Sequence, residues 1–465
     1  MARGGPVKVT VQQKKQGMSK FTAEQRSWFF YDWANSAYLT TTATVLFSPY
    51  LTSVAERAAC GYAGSADRPC REPLSVLGLS LSAGSLVFYL ITFTTVLSAL
   101  ILPIVGAIAD RVHSRRKLMG TFAWLGSIAG VLMFFVTGTH WQFGAVLLIC
   151  ANLMFAASVV VYDAILVDIA GPDERDAVSS QGWAYGYLGG GILLAANLVL
   201  VGMHDSFGID ESLAVRISMA SAAVWWAAFT IIPVLGIRDR PPHAPTGQRS
   251  LMSQSFGQLW ITLRGLRHYP QTLLFLVAYL FFNDGIQTVI YAASVYGEKQ
   301  LGFGTGVLIG TILLVQFVAF GGALLFGRVA GRYGSRRTIL VGLLVWMCVV
   351  CIAFVLPAHQ VAPFLILAVA IGLVLGGTQA LSRSFYSQLI PAGRAAEYFS
   401  LYQACERGTS WLGTLAFGVV HQLTGSYRPA ILALIMFFAI GAILLYKVNP
   451  HKGIRDVGNV VPSVV

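Results

Sequence analysis

Six ionisable side chains, Asp32, Asp163, Asp284, Arg383, Glu406 and Arg407, stand inside stretches that otherwise have the apolar composition of bilayer-spanning helices. On insertion scales one such charge costs about 2.5–3.5 kcal/mol at a helix centre. Six left uncompensated would cost roughly 15–20 kcal/mol, more than the about 5–15 kcal/mol net stability of an ordinary domain. The charges must pair with one another or face a watery interior. A membrane protein built around such an interior usually moves something through it, so transport is the expected function and no enzymatic activity is expected.

Composition supports the membrane reading. Hydrophobic residues make up 56% of the chain and charged ones 11%, against about 25% charged in soluble domains. The 48 glycines suit helices that approach closely in lipid. A formal charge of +12 would hint at nucleic acid in a soluble protein. Here the basic residues gather in short loops between apolar spans, which is a topology signal and excludes a nucleic-acid partner.

Twelve segments can each cross about 30 Å of hydrocarbon: 27–52, 83–109, 118–138, 142–168, 178–202, 214–236, 271–296, 304–328, 338–357, 361–387, 397–422 and 427–447. They are numbered helices 1 to 12 in chain order. The expected organisation is a basic tail (1–26), a six-helix bundle (27–236), a polar linker (237–270), a second six-helix bundle (271–447) and a tail (448–465). With both termini inside, the inner segments hold 24 Lys and Arg and the outer ones 6, which orients both termini to the cytoplasm. Residues 1–20 lack an apolar core and read as a tail, not a cleaved signal.

The halves repeat. Gly106-Ala-Ile-Ala109-Asp110-Arg111-Val-His-Ser114-Arg115-Arg116 matches Gly327-Arg-Val-Ala330-Gly331-Arg332-Tyr-Gly-Ser335-Arg336-Arg337 at a constant offset of 221. Each copy joins the second helix of its half to the third, the trace expected of two pseudo-symmetric bundles. Cys60 and Cys70 flank a polar outer loop and are candidates for a disulfide, two free thiols being the alternative. Cys348 and Cys351 lie inside an apolar helix and read as small packing residues. No G-x-x-x-x-G-K-[ST] loop and no paired metal spacing occur in the sequence, so neither a cofactor nor a metal is expected.

These residues match a family. The paired G-x-x-x-D-R-x-x-x-R-R loop resembles that of the major facilitator superfamily. Tyr31-Asp32-Trp33-Ala34-Asn35-Ser36-Ala37-Tyr38 resembles the first-helix signature of its vacuole effluxer (Atg22/UMF1) branch. Two further stretches are similar to the same branch: Val178-Ser179-Ser180-Gln-Gly182-Trp183-Ala-Tyr-Gly186-Tyr187-Leu188-Gly189-Gly190, and Gly376-Gly377-Thr378-Gln379-Ala380-Leu381-Ser382-Arg383-Ser384 with Leu389-Ile390-Pro391. The resemblance implies an all-α facilitator fold and, from fungal relatives, export of neutral amino acids from the vacuole. It also implies that the first and fourth helices of each half line a central cavity. Gly331 departs from the pattern where Asp110 stands in the first copy, which removes a second, equivalent charge latch.

The polar residues fall on those lining helices: Asp32, Asn35 and Tyr38 on helix 1; Asn152 and Asp163 on helix 4; Asn283, Asp284, Gln287 and Tyr291 on helix 7; Gln379 and Arg383 on helix 10. Asp284 lies near the midplane, where a site must sit to be reached from both sides; it is a candidate to load a proton or hold a substrate amine, or else to hydrogen-bond a neighbouring helix. Asp32, Asp163, Arg383, Glu406 and Arg407 lie at one inner depth and are expected to form an ion-pair network closing an inner gate. Alternatively, Arg383 holds a substrate carboxylate. Asp110, Arg111, Arg115, Arg116, Arg332 and Arg336 belong to the loop gate. Trp28, Phe29, Phe30, Tyr31 and Trp33 are expected to be interfacial anchors, and Gly186 to Gly191 a stretch of close helix packing.

The expectation is a monomeric, multi-pass secondary transporter in a plasma (bacterial inner) membrane, or alternatively a vacuolar or lysosomal one. Its small-molecule substrate would be a neutral or aromatic amino acid, linked to a proton or another coupling ion. A drug/proton antiporter or a sugar or lipid carrier stays open within transport; a non-transporting receptor or scaffold stays open outside it.

Overall fold

In a computed structural model, residues 21–64, 70, 72–76, 79–241, 264–408 and 410–465 are described. The first twenty residues and most of the linker (242–263) lie outside them, as do Arg68 and Arg71 of the outer loop.

Among the described residues, ten helices are long and apolar enough to cross a membrane. Two composite helices complete the twelve. Helix 1 runs from Ala23–Tyr38 through a π-helical stretch, Leu39–Leu46, into Phe47–Cys60. Helix 11 consists of Ala395–Gly408 and Ser410–Thr424. The others are Leu86–Ala109, Arg115–Leu132, Trp141–Ile169, Arg175–Gly202, Glu211–Gly236, Pro270–Val295, Thr305–Tyr333, Ser335–Val355, Val361–Gln388 and, for helix 12, Tyr427–Ala433 with Ile435–Lys447. Thr22 opens helix 1 with a capping box: its hydroxyl accepts from Gln25 N and the Gln25 side chain accepts from Thr22 N.

An even number of crossings puts both ends of the chain on one side, called the terminal face below. On the opposite face Cys60 and Cys70 are disulfide-bonded. A short antiparallel hairpin follows them, β1 (Pro73–Val76) and β2 (Leu79–Ser82), paired Pro73 to Ser82.

Within each half the helices pack through small residues. Helix 5 lies on helix 1: a Cβ at Gly189 would stand 2.7 Å from the Trp33 carbonyl oxygen, and one at Gly186 2.6 Å from Ser36 Oγ. The glycine run is therefore close packing, as expected from its place in an apolar helix. Between halves, helix 5 packs on helices 8 and 10, and helix 2 on helix 11. The two loop-motif glycines occupy matching places in these seams. A Cβ at Gly106 would lie 2.5 Å from Ala396 O on helix 11; one at Gly327 would lie 2.6 Å from Ser180 Cβ on helix 5.

After helix 12, Pro450–Asp456 forms one more short helix. The residues after it run back across the terminal face. Asn459 Nδ2 donates to Gln388 O and Ile390 O in the second half, and Ser463 N donates to Asp173 Oδ1 in the first.

Candidate functional site

The site centres on Arg383, near the terminal-face end of helix 10 and only 3% exposed. Its Nη2 donates to Asp32 Oδ2 on helix 1 at 3.0 Å, and its Nη1 to Asp163 Oδ1 on helix 4 at 3.4 Å. Nε reaches Ser179 Oγ and Nη2 also reaches Ser179 O on helix 5, each at 3.0 Å. Three rings surround the guanidinium: Trp28 at 4.9 Å, Tyr162 at 5.3 Å and Trp183 at 5.4 Å. One cation of the second half is thus held by two carboxylates, a serine and an aromatic cage of the first. Gly182 makes the room, since a Cβ there would stand 2.8 Å from Asp32 Oδ2 and 3.1 Å from Arg383 Nη2.

The network continues into helix 11. Gln403 Nε2 donates to Asp163 Oδ2 and to Glu406 Oε2, each at 3.0 Å, and Arg407 Nε donates to Gln403 Oε1. Asn283 Nδ2 donates to Glu406 O at 3.1 Å and Gln379 Nε2 to Asn283 Oδ1 at 2.8 Å, while Tyr279 OH reaches Gln379 Oε1. Asp32, Asp163, Asn283, Gln379, Arg383, Glu406 and Arg407 therefore share one connected set of bonds across both halves. The resemblance put Asp32, Asp163, Asn283, Gln379 and Arg383 on lining helices, and shared depth grouped Glu406 and Arg407 with the charges among them; only the fold joins helix 1 to helix 10 across 351 residues.

The other sequence candidates stand apart from that set. Asp284 is fully buried; its Oδ2 accepts from Gly413 N on helix 11 at 2.6 Å and its Oδ1 has no partner among the described residues. The hydroxyl of Thr288, one turn on, is likewise buried without a partner among them. Tyr38 stacks on Trp226 inside the first bundle, and Asn35 is buried with Nδ2 unpartnered among the same residues. Asn152 and Gln287 are half-buried and Tyr291 is exposed.

Several aromatic residues of helix 1 have a place here other than the interfacial one expected of them. Trp28 is fully buried, stacked on Tyr162 at 4.3 Å. Phe29 and Tyr31 are buried too, so these three are core and cage residues and not interfacial anchors. The aromatic cluster was visible; its partner, an arginine on helix 10, was not inferable from spacing.

Toward the terminal face two contacts close the seams. Asp110 caps the start of helix 11 from helix 2: Oδ1 accepts from Ala396 N at 3.0 Å and Oδ2 from Glu397 N at 2.9 Å. These are free first-turn donors at the positive end of a helix. Arg115 pairs with Asp110 and with Asp168, each at 2.7 Å. Burial outweighs Arg115 and pushes the Asp110 carboxyl up to about 6. Arg116 instead stays within its half. It ion-pairs with Asp239 at 2.8 Å, and that bond, helped by Ser114, holds Asp239 at about 2.

The second copy closes its seam differently. Asp176, at the start of helix 5, accepts from Ser335 Oγ and Ser384 Oγ, each at 2.5 Å. Arg175 Nη1 donates to Ser387 O at 2.8 Å and Gln388 Nε2 to Pro172 O at 2.7 Å. Arg336 donates to Val448 O at 2.5 Å, inside its own half. The side chains of Arg111 and Arg332 make no hydrogen bond or ion pair among the described residues. The signal for Asp176 was available, because the repeat offset of 221 carries it to Glu397, the residue Asp110 caps.

A family model described as "Vacuole effluxer Atg22 like" matches residues 22–174 and 170–458. The chain is 30% identical over 447 residues to an MFS-type transporter, YxiO, of Bacillus subtilis (strain 168), covering 95% of this chain and 98% of that one. It is 25% identical to autophagy-related protein 22-1 of Phaeosphaeria nodorum, covering 82% and 79%. Among solved structures it resembles the proton:xylose symporter XylE, with a TM-score of 0.68 at 12% identity over 91% of this chain and 95% of that one. It also resembles FucP in the outward conformation, with a TM-score of 0.63 at 13% identity over 92% and 98%. These two likenesses establish the twelve-helix facilitator fold.

Proposed function

Since the chain belongs to the vacuole effluxer Atg22-like family and is a multi-pass transporter of the major facilitator type, we propose that it carries a neutral or aromatic amino acid by alternating access, coupled to protons. The observation that carries the reading is the Arg383 network. A buried cation of one half is bound to Asp32 and Asp163 of the other, and both seams are latched on the same face. In this state a substrate cannot pass to the terminal face without breaking those bonds. Transport then requires a second state with the bonds released, and a substrate that competes for them supplies the differential affinity that shifts the two states.

Arg383 serves as the gate cation in this reading, not as a carboxylate receptor, because in the closed state its donors are already taken by protein acceptors. Asp284 is the proton carrier. A carboxylate enclosed in helix 7 with one oxygen unpartnered is costly while charged, and a proton taken up there removes the charge. The excess of Lys and Arg on the terminal face orients both termini to the cytoplasm, and the protein works in a plasma (bacterial inner) membrane as a monomer.

Counterflow of labelled amino acids in proteoliposomes tests this. Exchange of a neutral or aromatic amino acid, accelerated by a proton gradient, is the expected result. Exchange of sugars or cationic drugs but no amino acid would replace the substrate class, and no exchange of any of these would remove the transport cycle proposed here. Asp284→Asn is expected to abolish the response to the gradient while exchange persists.

A further inference from the structure

We infer that Arg407, not Arg383, is the receptor for the carboxylate of the substrate, which restricts the cargo to molecules carrying a free carboxyl group. The inference rests on the amino-acid reading above and adds a residue and a chemical requirement to it.

Arg383 and Arg407, on helices 10 and 11 of the second half, differ in what is left to bind. Arg383 is enclosed and its nitrogens face Asp32, Asp163 and Ser179. Arg407 is only partly buried. Its Nε donates to Gln403 Oε1 at 3.3 Å, and its Nη1 and Nη2 have no hydrogen bond or ion pair among the described residues. An arginine inside a bilayer with its fork unpaired is expensive to keep unless a ligand visits it. Planar, paired donors match a carboxylate in bidentate geometry.

The position suits a cargo in transit. Arg407 lies twelve residues into helix 11 from Ala395, about 18 Å along the helix at 1.5 Å per residue, which places it beyond the Arg383 floor and near the midplane. Its guanidinium carbon lies 4.9 Å from the centre of the Phe155 ring on helix 4, so the group bridges the two halves. One turn from Phe155 is Asn152, half-buried and without a hydrogen bond from its side chain among the described residues. On helix 7, which also lines the cavity, Tyr291 is exposed and Gln287, one turn before it, is half-buried. The guanidinium therefore stands between the two halves with its fork open. Gln403 then links that cation to the gate: it holds Arg407 Nε, Asp163 and Glu406 at once. A carboxylate pulling on Arg407 acts directly on a residue that holds Asp163, and hence on the partner of Arg383.

The test uses the full-length protein in detergent and binding by tryptophan fluorescence. The common amino acids, each paired with its carboxamide, are the probes. Loss of a charge-assisted bidentate bond should weaken the amides by roughly 10- to 100-fold. Arg407→Gln should bring acid and amide to the same affinity, and Arg407→Lys should recover part of the difference. Equal binding of acid and amide by the unmodified protein would overturn the inference and leave the amino-acid reading standing, with no variant needed. So would Arg407→Gln that keeps the full preference. If no amino acid binds the unmodified protein, the substrate reading falls and this inference with it.

Discussion

The two copies of the loop motif close the same face by different chemistry. In the first, Asp110 reaches from helix 2 to two backbone N–H groups of helix 11 and is braced by Arg115. In the second, Gly331 stands at the matching position and the acid comes from the opposite partner: Asp176 on helix 5 takes two serine hydroxyls of the second half. Backbone donors at a helix start cannot turn away, whereas hydroxyls rotate and can find other acceptors. The first latch is therefore the stiffer, and the second can yield first. Both rest on the same floor, the Arg383 pair with Asp32 and Asp163.

A cut in that floor should exceed a cut in either latch. Arg383→Gln leaves two buried carboxylates without their cation, at a cost of about 3–5 kcal/mol. A large fall in the thermal denaturation midpoint together with loss of exchange is expected. Adding Asp32→Asn and Asp163→Asn should restore much of the stability but none of the exchange.

Between the latches, Asp110→Ala strands backbone donors at about 1–3 kcal/mol each, while Asp176→Ala frees hydroxyls at about 1 kcal/mol. Spin labels at the exposed positions His113 and Arg332, read by pulsed dipolar distance measurement, should show a larger open population for the first change. The reverse order would break the comparison. Gly331→Asp sharpens it. A second carboxylate there would share a pocket with Asp173 and Asp176, so completing the motif should open the face instead of closing it.

The glycine seams differ in the same sense. Gly106→Ala meets the main chain of Ala396 and no side-chain change relieves it. Gly327→Ala meets Ser180, so Ser180→Gly should rescue it. Thermal stability of the three variants decides this.

A further effect concerns acid. Burial raises the closed-state Asp110 carboxyl to about 6, against about 3.9 when exposed to solvent. The closed state thus holds a proton that the open state releases, and closure strengthens as pH falls from 7 through 6, levelling off below about 4. Between pH 7 and 5 the shift is roughly tenfold. The label distances should show it in the parent and lose it in Asp110→Asn.

Much of this was legible before any coordinates. The helix count follows from the apolar segments, the repeat from the offset of 221 and the facilitator fold from the resemblance, while the gathering of Asp32, Asp163, Arg383, Glu406 and Arg407 follows from charges that cannot stand alone in lipid. The aromatic cage of Arg383 did not follow, since Trp28 and Trp183 meet it only through packing of helices 1, 5 and 10. Tyr38 shared the spacing of Asp32 yet turns into the first bundle, because Trp226 on helix 6 takes its ring. Periodicity gives a face of a helix; which neighbour that face meets is a tertiary fact. Asp176 lies outside the loop motif, and only the offset of 221, which relates it to Glu397, ties it to the latch.

Cargo can pass only if the terminal face, shut here, opens. Asp176→Cys with Ser384→Cys places two thiols across the second seam, where the native side chains are already bonded. In proteoliposomes, oxidation of the pair should stop amino-acid exchange and reduction should restore it, with neither single variant responding. Exchange that continues at full rate in the cross-linked protein would contradict the account.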